Sequence, residues 1–260
     1  MSDYENILFE HDGPIARITL NRPKAANGID QALADELERA ASYCSEDPTV
    51  KVVVLTGSGR FFSAGGDVRA MAASDDTGKF IEQLAATLHR AVSALARMDA
   101  LLIVGVNGTA AGAGMSLAVA GDLVVAAESA SFTMAYTKIG LSPDGGASYY
   151  LPRLIGLRRT QELMLTNRTL SAAEALDWGL LHRVVPDGEL TDAVETLARE
   201  FATGPKGSNA NVKKLLLVSG QHTLEEQLHT EAAFITHCAE SADGQEGVAS
   251  FVDKRAPKFA

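Results

Sequence analysis

Three glycine-bearing segments, each near a strongly apolar stretch, constrain this chain more than any other feature. They cover residues 63–67, 107–115 and 142–146, with the sequences Ser-Ala-Gly-Gly-Asp, Asn-Gly-Thr-Ala-Ala-Gly-Ala-Gly-Met and Ser-Pro-Asp-Gly-Gly. Glycine lets backbone N–H groups approach a ligand closely, and a loop entering a helix directs positive potential at negative charge. Two N–H groups that converge on one oxygen would form an oxyanion hole. The pattern predicts a ligand site lined by backbone.

Other uses of glycine loops fit less well. A dinucleotide-binding turn would need a third glycine three positions after Gly114 and an acidic residue about 20 positions further on, and neither is evident. A phosphate-binding P-loop is excluded because no Gly-Lys-Ser/Thr ending exists. The segment 143–145, Pro-Asp-Gly, is also typical of an ordinary turn, so Asp144 by itself does not indicate catalysis.

The periodicity of apolar residues predicts an α/β fold in which parallel strands are buried on both faces. After residue 145 the pattern is mainly helical, and Ser-Ala-Ala-Glu at 171–174 is a capping box. The predicted elements are a hairpin over 5–20, a helix from about Asp30 to Pro48, strands at 50–55, 101–106 and 123–126, and helices at 80–98, 171–178 and 207–251.

Length and composition limit the class of protein. The 260 residues suit one large domain, which we divide into a glycine-rich α/β core over 1–200 and a helical region over 201–260. The net charge of −10 argues against a general nucleic-acid binder. The chain has only two cysteines, Cys44 and Cys238, which excludes a disulfide framework and a Cys-x-x-Cys metal site. We therefore expect each thiol to be buried or to have no chemical role.

Residues 101–121 include no charged side chain, and this uncharged stretch is about as long as a membrane span. Five glycines and an internal Asn-Gly favour a buried strand, a loop and a buried helix instead. The acidic start of the chain does not look like a targeting peptide. We therefore expect a soluble, cytoplasmic protein.

Several motifs in one order resemble the crotonase superfamily, also called the enoyl-CoA hydratase/isomerase family. The matching segments are 21–25, 62–67, 106–114, 140–146, 151–153 and 171–185, so the resemblance spans nearly the whole chain. It implies a crotonase-like spiral of ββα units with a helical C-terminal region that builds trimers or hexamers. It also implies an acyl-CoA thioester as substrate, with coenzyme A carried as part of that substrate and no metal or other cofactor.

The resemblance also assigns residues. The N–H groups of Gly66 and Ala113 would hold the thioester oxygen. The substrate would be bound by Lys24, Ala25, Ala26, Ala64, Gly65, Asp67, Val68, Gly112, Ser116 and Tyr136, with Lys254 reaching a CoA phosphate from an adjacent subunit.

One departure from the family pattern bears on the reaction. Hydratases of this family use two glutamates, and the matching positions here are Ser116 and Tyr136. The remaining carboxylate, Asp144, resembles the catalytic aspartate of dienoyl-CoA isomerases and of the ring-epoxide isomerases of phenylacetate breakdown. One base can remove a proton beside an amide-held thioester enolate and return it elsewhere. We therefore expect an isomerase with Asp144 as its base, whether for a double-bond shift or a ring epoxide.

Alternatives stay open. The chain could be a non-catalytic acyl-CoA-binding member of the family, a hydratase, or a thioester hydrolase using Ser116, whose context is close to Gly-x-Ser-x-Gly. Tyr136 would either line the acyl pocket or donate to the substrate. His222, His229 and His237 fall on one predicted helix, where their spacing does not suit zinc, and we interpret them as surface or interface residues.

Overall fold

A computed structural model describes residues 4–260. Within these residues the strands are β1 (Ile7–Asp12), β2 (Ile15–Leu20), β3 (Val52–Gly57), β4 (Phe61–Ser63), β5 (Leu101–Val106), β6 (Thr109–Ala111), β7 (Leu123–Ala127), β8 (Ser131–Thr133), β9 (Leu170–Ser171) and β10 (Arg183–Val185). The helices are α1 (Gln31–Glu46), α2 (Val68–Ala72), α3 (Thr77–Arg97), α4 (Ala113–Ala118), α5 (Ala147–Thr166), α6 (Ala172–Asp177), α7 (Leu190–Ala202), α8 (Lys206–Ser219), α9 (Leu224–Glu240) and α10 (Ala242–Val252).

Two sheets are built from repeated pairs of strands. The large sheet has the order β1-β2-β3-β5-β7-β10, and only its β1–β2 hairpin is antiparallel. The small sheet has the order β4-β6-β8-β9, in which β4, β6 and β8 are parallel. In each of the pairs β3–β4, β5–β6 and β7–β8, the first strand joins the large sheet, the second joins the small sheet, and a helix follows. This is the ββα repetition that the resemblance implies.

Both faces of the large sheet are covered, as the continuous apolar runs predict. Along β3, Val53 and Leu55 belong to a core shared with α1 and α3, whereas Val52 and Val54 face α7. The helix α1 begins where predicted, because the side chain of Asp30 accepts the Leu33 N–H at 2.9 Å.

The four strands of the small sheet were not predicted. The strand predicted before the first glycine loop is the one over 50–55, but β4 lies between that strand and the loop, which follows Ser63. Strands of two or three residues are too short to show the alternation that identifies a strand. Their position is decided by pairing with neighbours that are distant in sequence.

Residues 101–121 form β5, β6 and α4, so the expected strand, loop and helix are present, with a short extra strand in the loop. No helix within residues 4–260 is both long and apolar enough to cross a membrane. The predicted capping box is also present: Ser171 Oγ accepts the Glu174 N–H at 3.2 Å, and the Glu174 carboxylate accepts the Ser171 N–H at 3.0 Å.

The C-terminal region is three helices rather than the single helical run expected over 207–251. His222 lies in the turn before α9 and not on the helix that carries His229 and His237. The prediction that all three histidines share one helix is therefore wrong. Lys213 of α8 is buried and anchors this region to the core, since its Nζ lies 2.8 Å from the carbonyl oxygen of Leu95 and from the Asp122 carboxylate. The division of the chain at residue 200 stays a prediction.

Burial raises the pKa of the Cys44 thiol to about 12, which makes it unreactive at neutral pH. Cys238 is half-buried, and its sulfur accepts a hydrogen bond from the Asn211 amide at 3.1 Å. These surroundings are consistent with two thiols that have no chemical role.

Candidate active site

The loops that follow β4, β6 and β8 meet at one edge of the small sheet, because the three strands run parallel. Together with the loop before α5 and one face of α3, they enclose a cavity of about 280 Å³. The cavity is lined by Ile29, Ala64, Gly66, Val68, Met71, Ile81, Leu84, Ala85, Leu88, Gly112, Ala113, Ala135, Tyr136, Ile139, Leu141, Ser142 and Asp144.

The loop after β4 presents one backbone N–H to this cavity. Ile29 N donates to Gly65 O at 2.7 Å, and Asp67 N donates to Ile29 O at 2.9 Å. Because consecutive backbone groups in extended chain point in opposite directions, the N–H of Gly66 between them points away from Ile29. Gly65 has φ +91°, and a Cβ there would lie 2.7 Å from the carbonyl oxygen of Ala111. Glycine is therefore needed for the two loops to touch.

The loop after β6 presents a second N–H. Ala113 is the first residue of α4, where backbone N–H groups have no acceptor within the helix. A Cβ on Gly114 would overlap the backbone of Ser63, so this position also requires glycine. Within residues 4–260, the N–H groups of Gly66 and Ala113 donate to no other protein atom. Within the described residues, two backbone donors without a protein acceptor thus belong to residues that line the cavity from adjacent loops, an arrangement that an oxyanion hole would use.

The third glycine segment carries the carboxylate. Gly145 and Gly146 both have positive φ, +62° and +89°, and the turn they form places Asp144 on the cavity. The hydroxyl of Tyr136 donates to Asp144 Oδ1 at 2.6 Å, and Ser116 Oγ lies 3.1 Å from the Tyr136 oxygen. The carboxylate is therefore held at one oxygen by a neutral donor, which leaves its charge uncompensated by a cation on that side.

Tyr136 remains protonated beside this carboxylate. Burial raises the pKa of its hydroxyl well above the ordinary value, and the charge of Asp144 raises it further. Because the Tyr136 proton is engaged on Asp144, the Tyr136 oxygen can only accept from Ser116. The single hydroxyl proton of Ser116 thus has two acceptors within reach, the Tyr136 oxygen at 3.1 Å and the Gly112 carbonyl oxygen at 3.3 Å, and the second contact connects the network to the loop before α4.

Ser116 and Tyr136, at the two positions matched to hydratase glutamates, therefore face each other as a hydrogen-bonded pair. Sequence analysis left open whether Tyr136 lines the pocket or donates to the substrate; it lines the cavity and donates to Asp144. In the described part of the chain, the partners of Ser116 Oγ are the Gly112 carbonyl and Tyr136, and neither is a base that would activate a nucleophile.

One residue at the site was missed. His89, on α3, has its Nε2 3.3 Å from Asp144 Oδ2 and accepts the Gly145 N–H on the same nitrogen at 3.1 Å. The side chain of His89 is half-exposed. A lone histidine on an amphipathic helix carries no signal of this role, because the contact joins residues 55 positions apart through the fold.

The predicted substrate-binding residues Lys24, Ala25 and Ala26 do not line the cavity. Lys24 and Ala25 are exposed in a short 3-10 turn, and Ala64 N donates to Ala26 O at 2.9 Å, which ties that turn to the loop after β4. Ala64 and the half-exposed Val68 both line the cavity.

Asp67 has a structural use in addition to any role in binding. Its carboxylate caps α2 by accepting the Arg69 N–H at 3.2 Å, and it also lies 3.2 Å from the Arg22 guanidinium. Lys254 follows α10 and does not line the cavity of its own chain. Its predicted contact involves an adjacent subunit and stays a prediction.

Comparisons with known proteins identify the family to which this chain belongs. A family profile described as enoyl-CoA hydratase/isomerase matches residues 10–260. The chain is 37% identical to 1,2-epoxyphenylacetyl-CoA isomerase of Escherichia coli over 260 residues, covering 98% of each protein. It is 37% identical to a probable enoyl-CoA hydratase of Rhodobacter capsulatus over 257 residues, again covering 98% of each. The crystal structure of an enoyl-CoA hydratase from Bacillus anthracis superposes with a TM-score of 0.93 at 30% identity, covering 98% of this chain and 99% of that one.

The protein belongs to the enoyl-CoA hydratase/isomerase family and has the crotonase fold. The family acts on acyl-CoA thioesters, and its relatives include proteins named as isomerases and as hydratases. The choice between these reactions depends on the side chains at the cavity.

Proposed function

We propose that this protein is an acyl-CoA isomerase in which Asp144 moves a proton between two carbons of the acyl group. The observation that carries the proposal is the location of one carboxylate on the same cavity as two free backbone N–H groups. A single base is sufficient for isomerisation, because the proton removed from one carbon can be returned to another.

The proposed reaction begins with the thioester oxygen on the N–H groups of Gly66 and Ala113. When Asp144 takes a proton from an activated carbon of the acyl chain, the C–H electron pair moves towards the thioester oxygen. The negative charge that develops there is stabilised by the two N–H groups, which are already oriented and need not reorganise. Asp144 then returns a proton to the other end of the conjugated system.

Hydration is disfavoured because, among the described residues 4–260, Asp144 is the carboxylate that lines the cavity and no second one does. Ser116 and Tyr136 stand at the matched positions, and the raised pKa of Tyr136 keeps it a donor rather than a base. Addition of water needs a base for the water and an acid for the α-carbon, on opposite sides of one double bond. In this protein, Asp144 would have to act as the base for the water and as the acid for the α-carbon.

The acyl group would be apolar. The inner wall of the cavity is formed by aliphatic and thioether side chains of α2, α3 and the loop before α5, namely Val68, Met71, Ile81, Leu84, Leu88, Ile139 and Leu141. Such a wall suits an enoyl chain or a six-membered ring. The name of the Escherichia coli relative supports including ring epoxides of aryl-acetyl thioesters in the substrate range.

Coenzyme A would lie along the mouth, past Lys24, Ala26 and Val68, as part of the substrate. The overall shift of a proton needs no metal or redox cofactor, because it leaves the oxidation level of the substrate unchanged.

We also propose assembly into a trimer through the C-terminal helices. No residue of α9 is buried in the single chain, and the apolar side chains left exposed on α8–α10 include Val212, Leu216, Leu224, Leu228, Ile235, Val248 and Phe251. A surface of this kind is typical of subunit interfaces. In such an assembly, Lys254 of the partner subunit could meet a CoA phosphate.

The test mixes the protein with a 3-enoyl-CoA and follows the absorbance of the conjugated thioester. We expect turnover by the wild type and a fall of about 10²- to 10⁴-fold in Asp144→Asn, with unchanged affinity for a saturated acyl-CoA. Asp177→Asn, an exposed aspartate on α6, is the matched control and should behave as the wild type.

Other outcomes identify the alternatives. Accumulation of a 3-hydroxyacyl-CoA would make the protein a hydratase, and release of free CoA that Ser116→Ala abolishes would make it a thioesterase. If the protein binds acyl-CoA but turns over neither a 3-enoyl-CoA nor a ring epoxide, it is a non-catalytic acyl-CoA-binding member of the family.

A further inference from the structure

The side chain of Met71 lies beside one of the two N–H groups that we propose to hold the thioester oxygen. Met71 belongs to α2 and lines the cavity. A Cβ placed on Gly66 would overlap Met71 Cε, so this terminal methyl group packs directly on the Gly66 backbone. Because the Cβ of any residue is about 2.5 Å from its own backbone nitrogen, Met71 Cε lies within about 5 Å of the Gly66 nitrogen.

Met71 also differs from the other methionines of the described residues in its exposure. Three of them are almost fully buried, namely Met98, Met115 and Met134. Met71 and Met164 are half-buried, and Met71 is the one of these two that lines the cavity. Val68, one helical turn before Met71, is half-exposed and lines the same cavity, which is therefore open to solvent along α2. A small oxidant can reach the Met71 sulfur through this opening.

The sulfur atom of Met71 changes its hydrogen-bonding character when it is oxidised. A thioether is a weak acceptor, whereas a sulfoxide is polar and carries an oxygen that accepts hydrogen bonds. Within residues 4–260 the Gly66 N–H donates to no protein atom, so it is available to an incoming acceptor. The methionine side chain has three rotatable bonds, and its sulfur is bonded to the methyl group that already touches Gly66. An oxygen added to this sulfur can therefore turn towards the Gly66 N–H.

We propose that Met71 is a modification site at which hydrogen peroxide, or another small hydroperoxide, weakens the binding of acyl-CoA. The sulfoxide oxygen accepts the Gly66 N–H in place of the thioester oxygen and adds a polar group to an apolar wall of the cavity. The inference goes beyond the proposed isomerase function, because it concerns binding and not turnover. It rests on the part of that proposal in which the Gly66 N–H holds the thioester oxygen.

The atoms and electrons of the oxidation balance. A lone pair of the Met71 sulfur forms a bond to one oxygen of hydrogen peroxide, and the O–O bond breaks. The other oxygen leaves as hydroxide and takes the proton of the transferred oxygen, which gives water. The sulfur loses two electrons and the peroxide gains two. Methionine sulfoxide reductases return the sulfoxide to the thioether, so the modification is reversible.

The test compares acyl-CoA binding before and after treatment with dilute hydrogen peroxide. Peptide mass spectrometry measures the fraction of Met71 that has gained one oxygen atom, and calorimetric titration measures the Kd of a saturated acyl-CoA. We expect this Kd to rise by about 10-fold when Met71 is fully oxidised, because the thioester loses one hydrogen bond to a competing acceptor. Methionine sulfoxide reductases should restore the original Kd. A saturated acyl-CoA present during the treatment should slow the oxidation of Met71.

Two leucine variants assign the effect to one sulfur atom. Met71→Leu keeps an apolar side chain, so its Kd should equal that of the wild type and should not change on treatment. Because this variant retains Cys44 and Cys238, an equal loss of affinity in it would place the sensitive group elsewhere and overturn the inference. Met164→Leu is the matched control, since Met164 is half-buried but does not line the cavity. It should lose affinity on treatment as the wild type does.

A third variant needs no oxidant. Met71→Gln carries an amide oxygen near the position of the sulfoxide oxygen, so its Kd should be raised severalfold without treatment. An unchanged Kd in the fully oxidised wild type would overturn the inference, and so would resistance of Met71 to the peroxide. Loss of affinity on oxidation in a protein that isomerises no 3-enoyl-CoA or ring epoxide would reject the proposed function while the inference stands.

Discussion

Two walls of the same cavity are built in opposite ways. The amide wall consists of the Gly66 and Ala113 N–H groups, and its geometry comes from backbone in loops that only small residues can form. The carboxylate wall consists of Asp144 and Tyr136, with the buried Ser116 behind the tyrosine, and these side chains come from three separate elements. The amide wall tolerates alanine at 113 because every residue except proline has an N–H. The side chains of the carboxylate wall depend on one another, because Ser116 contacts Tyr136 and Tyr136 donates to Asp144.

This difference between the two walls indicates which part of the cavity decides the type of reaction. Both hydration and isomerisation of a thioester need the amide wall, because both place negative charge on the same oxygen. The carboxylate wall decides which proton moves. We therefore expect changes to the amide wall to alter binding and rate together, and changes to the carboxylate wall to alter rate alone.

Among variants that keep Asp144, the largest effect should come from Gly65→Val, which breaks the amide wall. A side chain there would collide with the Ala111 carbonyl at a φ of +91° and push the two loops apart. Loss of an oxyanion-hole donor costs about 10²- to 10³-fold in kcat, and acyl-CoA affinity should fall as well. Steady-state kinetics and calorimetric titration would measure both.

Gly188→Ala is the matched control for that variant, because a Cβ at Gly188 meets no atom within 4 Å. It should keep wild-type kinetics and affinity. A Gly65→Val protein that is folded, binds acyl-CoA normally and loses only kcat would contradict the distinction between the walls.

A smaller effect is expected from Tyr136→Phe on the carboxylate wall. The variant removes the 2.6 Å hydrogen bond to Asp144 Oδ1 and leaves the ring in place. A hydrogen bond to a charged group contributes about 1.5–3 kcal/mol, so kcat should fall by about 10- to 100-fold. Affinity for a saturated acyl-CoA should not change.

Tyr43→Phe, which alters an exposed tyrosine paired with His11 far along the chain from the site, provides the comparison. Its kinetics should match the wild type. Weaker acyl-CoA binding by Tyr136→Phe would mean that this hydroxyl also holds the substrate.

Ser116→Ala should have a still smaller effect. Its hydroxyl makes longer contacts, 3.1 Å to Tyr136 and 3.3 Å to the Gly112 carbonyl, and acts on the carboxylate only through the tyrosine. We expect kcat to fall by about 2- to 5-fold, which corresponds to one modest hydrogen bond. A loss as large as that of Asp144→Asn, measured in the same isomerase assay, would instead give the serine a direct chemical role.

The smallest effect is expected from a change of pH. The contribution of the Tyr136 hydroxyl to kcat should stay the same as the pH rises. Burial and the charge of Asp144 both raise the pKa of its hydroxyl, so the neutral donor persists as the pH rises towards 10. The ratio of wild-type to Tyr136→Phe kcat should therefore stay constant between about pH 6 and 9.5, since the ordinary tyrosine pKa is about 10. A ratio that falls at alkaline pH would show that the proton is lost within this range.

Much of the amide wall could be predicted from the sequence, because its requirements are local. Gly65, Gly112 and Gly114 stand in runs of small residues next to apolar strands, and the family motif adds their register. The carboxylate wall could be predicted only residue by residue. Asp144 and Tyr136 were both candidates, but nothing in their spacing of eight positions indicates that one donates to the other.

The sequence by itself determined the α/β class, the long buried strands and the glycine loops, because apolar periodicity and residue identity express these features directly. Its resemblance to the family added that Ser116 and Tyr136 stand where the resemblance places the glutamates of hydratases. Only the tertiary structure decided the small sheet, the pairing of Tyr136 with Asp144 and the approach of His89 to the same carboxylate. Each of these depends on strands or helices far apart in the chain being packed side by side, and a contact of this kind leaves no pattern in the local sequence.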